Sequence, residues 1–554
     1  MANNRRSFLQ KLGLGTTALG LSSAFSLPSL AGSSRVKKEE EDQILFIGEK
    51  IAIANTAYGK VRGFKLRGIY TYLGIPYGAD TSGENRFMPP KKPTPWTEVK
   101  PTIWWGNTAP QNMEKRYADP VSSFIDHWNY DDVSEDCLRL NVWTPAIADG
   151  KKRPVIVWLH GGGYTNGNAI EQDGYHGENI SRRGDVVYVS INHRLGPMGF
   201  ANFAGANATK YAASGNVGML DCVAALEWVK ANIANFGGDP GSVTIIGQSG
   251  GGGKVCTLMA MPSAKGLFHK GVALSGATLK VTEKETSEKL GAYILQEAGL
   301  TNSQVDKLQT MPWKEYYEIA TRASKKLADE LKAAGKRGGG WAPVADGNFL
   351  PQHPFDPVAS PLSADVPLIL CSTLNESSPS RSDASLENIT LDAVKEKVKD
   401  RFGENAGKVI DSYAKAFPER KPIEIWSMAV SNRQNVIALA NAKSKQKAPV
   451  YVAWFGWQPP LFDNRMRAFH CSDISFWFYN TDLMYTHTGG GSRPRKLSAK
   501  MADSFVKFAR TGNPNGGGLP TWPRYTPENG ETMFLDDVPV IKNDPDREAR
   551  KALA

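Results

Sequence analysis

Cysteine is scarce in this sequence and its number is odd, with five in 554 residues. An exported protein that relied on a disulfide framework would carry more cysteines and an even number of them, so disulfides are not the basis of this fold. No cysteine or histidine pair has the close spacing of a zinc site. The charges form no long tract of one sign either, because 66 basic and 56 acidic residues are spread along the chain and leave a net charge of +10. Without a basic tract or a nucleic-acid motif, we do not expect nucleic acid as a partner.

Long apolar runs are also rare, and the one candidate lies at the N-terminus. Arg5 and Arg6 precede an apolar stretch rich in small residues at 12–30, and the pattern Arg-Arg-Ser-Phe-Leu-Gln-Lys resembles a twin-arginine export signal. We expect a signal peptide over residues 1–31 and a charged, solvated linker over residues 32–43. The exported chain would then begin near Gly32 and reside in a bacterial periplasm or outside the cell. A retained membrane anchor is the alternative, and the many small and polar residues disfavour it.

The rest of the chain, residues 44–554, is predicted to be one large domain. No hinge rich in proline, glycine or serine divides it, and no internal repeat occurs at a fixed period. Apolar strand candidates at 154–159, 185–191 and 242–246 alternate with helical stretches such as 220–234, which predicts an α/β fold with functional residues where strands end. A late glycine cluster within residues 486–494 predicts a mobile surface loop.

The strand candidate at 242–246 leads directly into Gly247-Gln248-Ser249-Gly250-Gly251, and a helix is predicted from residue 253 to 261. A strand, a Gly-x-Ser-x-Gly turn and a helix in this order are typical of a nucleophile elbow, which exposes the serine hydroxyl above the sheet. Glycines beside the serine let strand and helix approach closely. Ser249 is therefore the candidate nucleophile, although the five-residue motif without its strand would predict only a turn.

A second glycine cluster, His160-Gly161-Gly162-Gly163, directly follows the strand candidate at 154–159. The backbone amides of such a turn can point at a substrate oxygen, and the negative charge of a tetrahedral intermediate needs donors that are fixed in advance. We assign the amides of Gly162, Gly163 and Gly250 to an oxyanion hole. The alternative is a flexible turn, which the presence of Ser249 disfavours.

With these motifs the chain resembles the type B carboxylesterase and cholinesterase family, which implies an α/β-hydrolase fold with a mostly parallel central sheet flanked by helices. Matching segments run through the chain: Gly74-Ile75-Pro76-Tyr77, Arg86-Phe87-Met88-Pro89-Pro90, Glu135-Asp136-Cys137-Leu138, Asn192-His193-Arg194-Leu195-Gly196-Pro197, Gly215-Asn216-Val217-Gly218, Asn235-Phe236-Gly237-Gly238 and Phe508-Ala509-Arg510-Thr511-Gly512-Asn513-Pro514.

The resemblance implies two partners for Ser249. The acid of the family follows a strand in a short turn that contains threonine and asparagine, and Glu376 lies in such a segment at 366–376. It would hold the imidazole tautomer and stabilise the imidazolium. The histidine follows the acid in α/β-hydrolases, and the segment around His470 resembles the histidine segment of the family. His487 is the other histidine beyond Glu376, but it adjoins the glycine cluster, where a fixed tautomer would be hard to maintain.

Four residues depart from the family pattern. Gln248 replaces a glutamate before the nucleophile, which removes a charge beneath the site, and Gly250 replaces an alanine after it. Cys137 stands where the family has half of a disulfide, but no cysteine precedes it, so that bridge cannot form. His193 stands where tyrosine is common, and we interpret it as a structural histidine rather than a catalytic one. Cys471, beside His470, is interpreted as a small buried side chain.

The reaction expected from these residues is hydrolysis of carboxylic esters by two-step acyl transfer through Ser249, His470 and Glu376. A small-molecule ester is the expected partner, and neither a metal nor an organic cofactor is required. A lactonase, an amidase or a peptidase could use the same triad, because fold and triad fix the chemistry and not the leaving group. A binding protein of the adhesion type is the alternative from another class, although such relatives typically lack a triad member.

Overall fold

The computed structural model describes residues 43–113, 120–125, 132–336 and 338–553. The predicted signal peptide and nearly all of the predicted linker lie outside the described residues. The boundaries expected at residues 31 and 43 therefore stay predictions. Residues Leu45–Ala554 form one compact unit.

The described residues contain short outer strands and longer central ones. In chain order they are β1 (Leu45–Phe46), β2 (Ile53–Thr56), β3 (Gly59–Arg62), β4 (Phe64–Leu66), β5 (Ile69–Pro76), β6 (Lys100–Pro101), β7 (Arg139–Thr144), β8 (Arg153–Leu159), β9 (Val187–Ile191), β10 (Gly238–Gln248), β11 (Lys270–Leu274), β12 (Thr282–Glu283), β13 (Val344–Ala345), β14 (Leu368–Thr373), β15 (Val450–Phe455), β16 (Glu531–Leu535) and β17 (Val540–Asn543).

Twelve of these strands form one mixed sheet in the order β1-β4-β5-β7-β9-β8-β10-β11-β14-β15-β16-β17. Neighbouring strands are parallel from β9 to β16, and the strands at both ends of the sheet pair antiparallel. The expected α/β architecture with a largely parallel centre is thereby confirmed. Two small sheets, β2-β3-β6 and β12-β13, lie apart from the large one.

Helices connect the central strands. They are α1 (Pro120–Ile125), α2 (Glu178–Gly184), α3 (Gly196–Phe200), α4 (Val217–Asn232), α5 (Gly250–Leu258), α6 (Lys284–Glu297), α7 (Val305–Thr310), α8 (Trp313–Ala333), α9 (Leu391–Lys397), α10 (Lys399–Phe402), α11 (Ala406–Ala416), α12 (Pro422–Ala429), α13 (Arg433–Ser444), α14 (Ile474–Trp477), α15 (Tyr485–Thr488), α16 (Ser492–Thr511) and α17 (Arg547–Lys551). Among the described residues, no helix combines the length and the apolar character needed to cross a bilayer.

Each central strand contributes side chains to two hydrophobic cores, one on either face of the sheet. In β8, Val155, Val157 and Leu159 belong to one core, and Ile156 and Trp158 belong to the other. This alternation follows from the two-residue period of a strand, and a parallel sheet covered on both faces needs apolar residues at every position. The continuous apolar runs that predicted these strands have this physical origin.

Two predictions of local structure were wrong. The helix expected from residue 253 begins at Gly250, because close packing against the neighbouring backbone stabilises glycines that have poor intrinsic helix propensity. The mobile loop expected at 486–494 is instead a short connection between α15 and α16, with three glycines at φ angles of +73°, +74° and +83°. Glycine adopts this left-handed backbone without strain, so the chain turns between two helices here.

Arg194 and Asp221 form a buried ion pair that fixes α4 to the segment after β9. The guanidinium Nη2 and Nε lie 2.7 and 2.9 Å from the two carboxylate oxygens of Asp221, and the side chains are 1% and 0% exposed. Arg194 Nη1 also donates to the carbonyl oxygen of Met88 at 2.8 Å. The same segment reaches the expected oxyanion turn, because the amide of Gly196 donates to the carbonyl oxygen of Tyr164 at 2.7 Å.

We predict that Asp221→Asn lowers the free energy of unfolding by about 3–5 kcal/mol, because it leaves the buried Arg194 guanidinium without its countercharge. Urea unfolding measures the change. Asp503→Asn is the control, since it removes the partner of Arg183 in a bidentate pair whose side chains are 27% and 42% exposed, and it should cost less than about 1 kcal/mol. Equal losses in the two variants would contradict the structural role of the buried pair.

Candidate active site

The predicted site residues follow strands that lie close together in the sheet. β8 ends at Leu159, directly before the His-Gly-Gly-Gly turn, and β10 ends at Gln248, directly before Ser249. β14 ends at Thr373, three residues before Glu376. These strands are parallel members of one sheet, so their carboxyl ends lie at one edge, where functional residues of open α/β sheets are found.

Ser249 lies on a strained turn between β10 and α5. Its φ and ψ angles are +55° and −123°, a region that residues with a side chain rarely adopt. Two hydrogen bonds hold this backbone, one from the Ser249 amide to the carbonyl oxygen of Leu274 at 2.8 Å and one from the Gly253 amide to the Ser249 carbonyl oxygen at 3.0 Å. Ser249 is partly exposed. This geometry matches the predicted nucleophile elbow.

The first turn of α5 lies directly against the end of β8 and the glycine turn that follows. A Cβ atom on Gly251 would lie 2.0 Å from the carbonyl oxygen of Leu159, and a Cβ atom on Gly250 would lie 2.0 Å from that of Gly163. Only glycine fits at either position with the backbone as it stands. The alanine that the resemblance places at position 250 would push the turn away from α5.

The turn at 161–163 presents its backbone toward this helix end. Gly162 and Gly163 have φ angles of +80° and +66° and are exposed. The carbonyl oxygen of Gly162 accepts hydrogen bonds from the amides of Thr165 and Asn166 at 3.2 and 3.0 Å, which fixes the turn. Within the described part of the chain, the amides of Gly162, Gly163 and Gly250 donate to no acceptor, so they are open to a substrate oxygen.

Glu376 and His470 meet as the sequence predicts. His470 Nδ1 lies 2.5 Å from Glu376 Oε2, and the other carboxylate oxygen, Oε1, accepts a hydrogen bond from the Thr373 amide at 2.9 Å. Burial disfavours the imidazolium, but negative charge at Cys471 and Glu376 outweighs that effect and raises the pKa of His470 well above its ordinary value. The carboxylate therefore fixes the Nδ1–H tautomer and leaves Nε2 as the basic atom.

Gln248 also contacts the imidazole, which the sequence did not predict. Its amide Nε2 lies 3.2 Å from His470 Nε2 and 3.4 Å from His470 Nδ1, and its Oε1 accepts from the Cys471 thiol at 3.1 Å. No hydrogen bond between Ser249 Oγ and the imidazole is found among the described residues. Catalytic hydrogen bonds commonly form or shorten only when substrate binds.

Asp473 is a second buried carboxyl group near the pair and was not singled out from the sequence. It is 0% exposed, and its Oδ2 accepts a hydrogen bond from Trp477 Nε1 at 3.1 Å. Burial, with a smaller contribution from the Glu376 charge, raises the pKa of Asp473 to about 6. The sequence offered one signal for Asp473: it lies three residues after His470, in the segment that resembles the histidine segment of the family.

The competing histidine, His487, lies in a different environment from the one expected. It is buried within α15, and its ring packs edge-on against Phe469 with 5.1 Å between the ring centres. The argument that a mobile loop surrounds it was therefore wrong. His470, and not His487, contacts Glu376.

A cavity of about 540 Å³ lies near the segment that follows the glycine turn. Its wall includes Met113, Trp313, Tyr317 and Arg322. Gln111, also in the wall, exchanges hydrogen bonds of 3.0 and 2.9 Å with the backbone of Gly167, just after the turn. Ser249 itself is not part of this wall.

Among the described residues, no cluster of three histidine, cysteine or acidic side chains could hold a metal ion.

The chain is similar to known proteins over most of its length. The model of the carboxylesterase family matches residues 50–552. A para-nitrobenzyl esterase of Bacillus subtilis is 34% identical over 90% of this chain and 98% of its own length. A phenmedipham hydrolase of Pseudarthrobacter oxydans is 29% identical over 88% of this chain and 95% of its own. The solved structure of an esterase from Clostridium hathewayi, described as hydrolysing aliphatic aromatic polyesters, covers 92% of this chain and 98% of its own at 31% identity, with a TM-score of 0.80.

We predict that Gln248→Glu moves the acid limb of kcat/KM for p-nitrophenyl acetate to higher pH by about one unit or more. A carboxylate beside His470 stabilises the imidazolium, and the neutral form needed as a base then appears only at higher pH. As the pH falls, Gln248→Glu therefore loses activity at a higher pH than wild type does. Gln248→Met is the matched control, since it removes the amide without adding charge and should produce no upward shift; an unchanged acid limb in Gln248→Glu would disprove the argument.

Proposed function

We propose, from the premise that this chain belongs to the carboxylesterase family and cleaves carboxylic esters as a serine hydrolase, that Ser249, His470 and Glu376 form its catalytic triad. The observation that carries the proposal is the joint position of the three residues. Ser249 lies on a strained elbow, and a His470–Glu376 pair lies against the neighbouring Gln248 side chain. All three follow strands of one sheet in the order serine, acid, histidine that α/β-hydrolases use.

In the acylation step, His470 Nε2 takes the proton of Ser249 Oγ. The oxygen attacks the ester carbonyl carbon, and the carbonyl π electrons move to its oxygen. When the tetrahedral intermediate collapses, the bond to the alkoxide breaks, and the imidazolium returns the proton to this leaving group. Water repeats the sequence on the acyl-enzyme and releases the acid.

The amides of Gly162, Gly163 and Gly250 would bind the oxygen of the tetrahedral intermediate. Their lack of acceptors in the described structure supports this role, because a preorganised donor needs no rearrangement when charge develops. The strained backbone of Ser249 supports it too, since the same turn carries the hydroxyl, which would attack the carbonyl carbon, and the Gly250 amide, which would bind the carbonyl oxygen.

The substrate class that we propose is esters with apolar or aromatic groups. The cavity near the glycine turn has Trp313, Tyr317, Met113 and Val133 in its wall, beside six polar or charged residues. Its aromatic and apolar side chains would pack against the apolar part of such an ester, and the polar groups would fix its orientation. Similarity to a para-nitrobenzyl esterase and to an esterase described as acting on aliphatic aromatic polyesters supports the same class.

We predict measurable hydrolysis of p-nitrophenyl acetate, butyrate, octanoate and benzoate by the chain from Gly32, with rates that differ clearly between acyl groups. Ser249→Ala should lose nearly all turnover and also its label from a fluorophosphonate probe, because both depend on the nucleophilic oxygen. Thr257→Ser is a control on the same helix that should retain both. A folded protein without turnover on any ester would contradict the proposal. Turnover of lactones or anilides alone would show that the same triad acts on those substrates instead of esters.

We also propose that residues 1–31 are a twin-arginine signal that directs the folded enzyme to the periplasm or beyond. Arg5 and Arg6, the small-residue stretch after them and the low cysteine number support this destination. The twin-arginine route carries folded proteins, so reduced cysteines can be buried before export.

For export, the prediction is that changing both Arg5 and Arg6 to lysine leaves the enzyme as an unprocessed precursor in the cytoplasm of a bacterial host. Cell fractionation with detection of esterase activity and chain length measures this. The double variant Lys37→Arg with Lys38→Arg, which keeps the charge of the linker, should still be exported and shortened. Export of the Arg5/Arg6 variant at the normal level would refute the assignment.

A further inference from the structure

A buried lysine lies beneath the proposed oxyanion turn. Lys254 is the first residue of α5 with a side chain beyond a hydrogen, after Gly250, Gly251, Gly252 and Gly253. It is 0% exposed, and its Nζ donates to the carbonyl oxygen of His160 at 2.8 Å. The His160 carbonyl immediately precedes the Gly161 amide, so Lys254 binds the turn at its root.

The glycines before Lys254 explain how this contact is reached. A Cβ atom on Gly251 would lie 2.8 Å from the His160 oxygen, and one on Gly253 would lie 2.7 Å from the hydroxyl oxygen of Tyr164. The turn therefore lies on the bare backbone of the helix, and the lysine side chain reaches the turn one helical turn further along. Its ammonium also lies 5.6 Å from the centre of the Tyr164 ring.

Two imidazoles complete the environment of Lys254. His160 and His193 stack with 5.0 Å between ring centres and 18° between planes, and both are fully buried. Each Nδ1 donates to a nearby backbone oxygen, of Gly161 at 2.9 Å and of Arg194 at 2.7 Å, and neither Nε2 has a partner within the described structure. Burial and the Lys254 charge lower the pKa of both rings well below the ordinary value, so they are neutral and the charge of this cluster lies on the lysine.

The charge of Lys254 is not explained by an ion pair. Among the described residues no carboxylate lies within 4.0 Å of its Nζ, and the groups that favour its charge, Cys222 and Glu171, act at longer range. Burial lowers the pKa of Lys254 to about 8. An isolated buried ammonium destabilises the folded state at neutral pH, so a role in stability does not account for it.

We propose that Lys254 is a positioning residue for ester hydrolysis, whose ammonium holds the His160 carbonyl and thereby fixes the Gly162 and Gly163 amides toward the substrate oxygen. The proposal rests on the function assigned above. The positive charge of Lys254, bound to the carbonyl group that precedes the turn, also favours negative charge at the oxyanion. Neutralising it weakens the charge-assisted hydrogen bond to His160, so turnover falls as the pH rises through the titration of the lysine.

The chain offers a matched control for this test. Lys443 is also 0% exposed, and burial lowers its pKa to about 8 as well. Its Nζ donates to the carbonyl oxygen of Ser363 at 2.7 Å and to Gln446 Oε1 at 2.9 Å, and it contacts neither the glycine turn nor α5. Replacing either lysine with methionine removes one buried charge at similar volume, and only one replacement affects the proposed oxyanion turn.

The experiment compares wild type, Lys254→Met, Lys443→Met and Ser249→Ala from pH 6 to 10 with p-nitrophenyl butyrate, using Ser249→Ala to subtract spontaneous hydrolysis. We expect Lys254→Met to lower kcat about 10- to 100-fold with KM within about threefold, since the amides stabilise the transition state more than the ground state. The fall of wild-type kcat above a pH of about 8 should disappear in Lys254→Met and persist in Lys443→Met. Thermal unfolding at pH 7 should show Lys254→Met no less stable than wild type.

Three results would overturn the inference: kcat of Lys254→Met within twofold of wild type, an unchanged alkaline limb in that variant, or an equal loss of kcat in Lys443→Met. If Lys254→Met does not fold, a wild-type kcat that stays level from pH 7 to 10 overturns it. Failure of the proposed function is recognised separately, because Ser249→Ala would then retain wild-type turnover and fluorophosphonate labelling.

Discussion

The contact between two stretches of bare backbone determines the geometry of this site. The end of β8 and the turn at 161–163 lie directly on the first turn of α5, at distances that leave no room for a Cβ atom on Gly250 or Gly251. This contact holds the proposed oxyanion amides beside Ser249, and the positive φ of Ser249 is the backbone conformation that joins β10 to a helix so close to β8. Backbone packed this closely cannot absorb a displacement, so a small shift of α5 also displaces the turn at 161–163.

The charges around the site are arranged around one imidazole. Glu376 holds Nδ1, and the neutral amide of Gln248 contacts the ring at the position where the resemblance would place a carboxylate. A neutral group here limits the stabilisation of the imidazolium, which negative charge at Glu376 and Cys471 already favours. The nearby Asp473 has a raised pKa, and its burial among apolar groups keeps a further negative charge away from the pair below a pH of about 6. The substitution at 248 and the burial at 473 both act on the proton affinity of His470.

The sequence alone predicted the parts of the site that depend on local patterns. The elbow at Ser249 follows from a β-branched strand, closely spaced glycines and a following helix, all within about twenty residues. Glu376 and His470 could be chosen only through family resemblance, since 94 residues separate them and no local pattern defines the pair. The contacts of Gln248 with His470 and of Lys254 with His160 could not be predicted, because they join residues that are 222 and 94 positions apart in the sequence. Helix propensity gave the wrong start for α5, since tertiary packing outweighs the unfavourable glycines there.

The glycine start of α5 also has a consequence for the order in which this site is assembled. Four successive glycines lose more conformational entropy on ordering than any other residues, and an isolated helix that begins with them does not form in water. The turn that carries Ser249 therefore becomes ordered only together with its contacts to β8, β10 and Leu274 at the end of β11. Activity should then report the integrity of the central sheet more sensitively than helix content does.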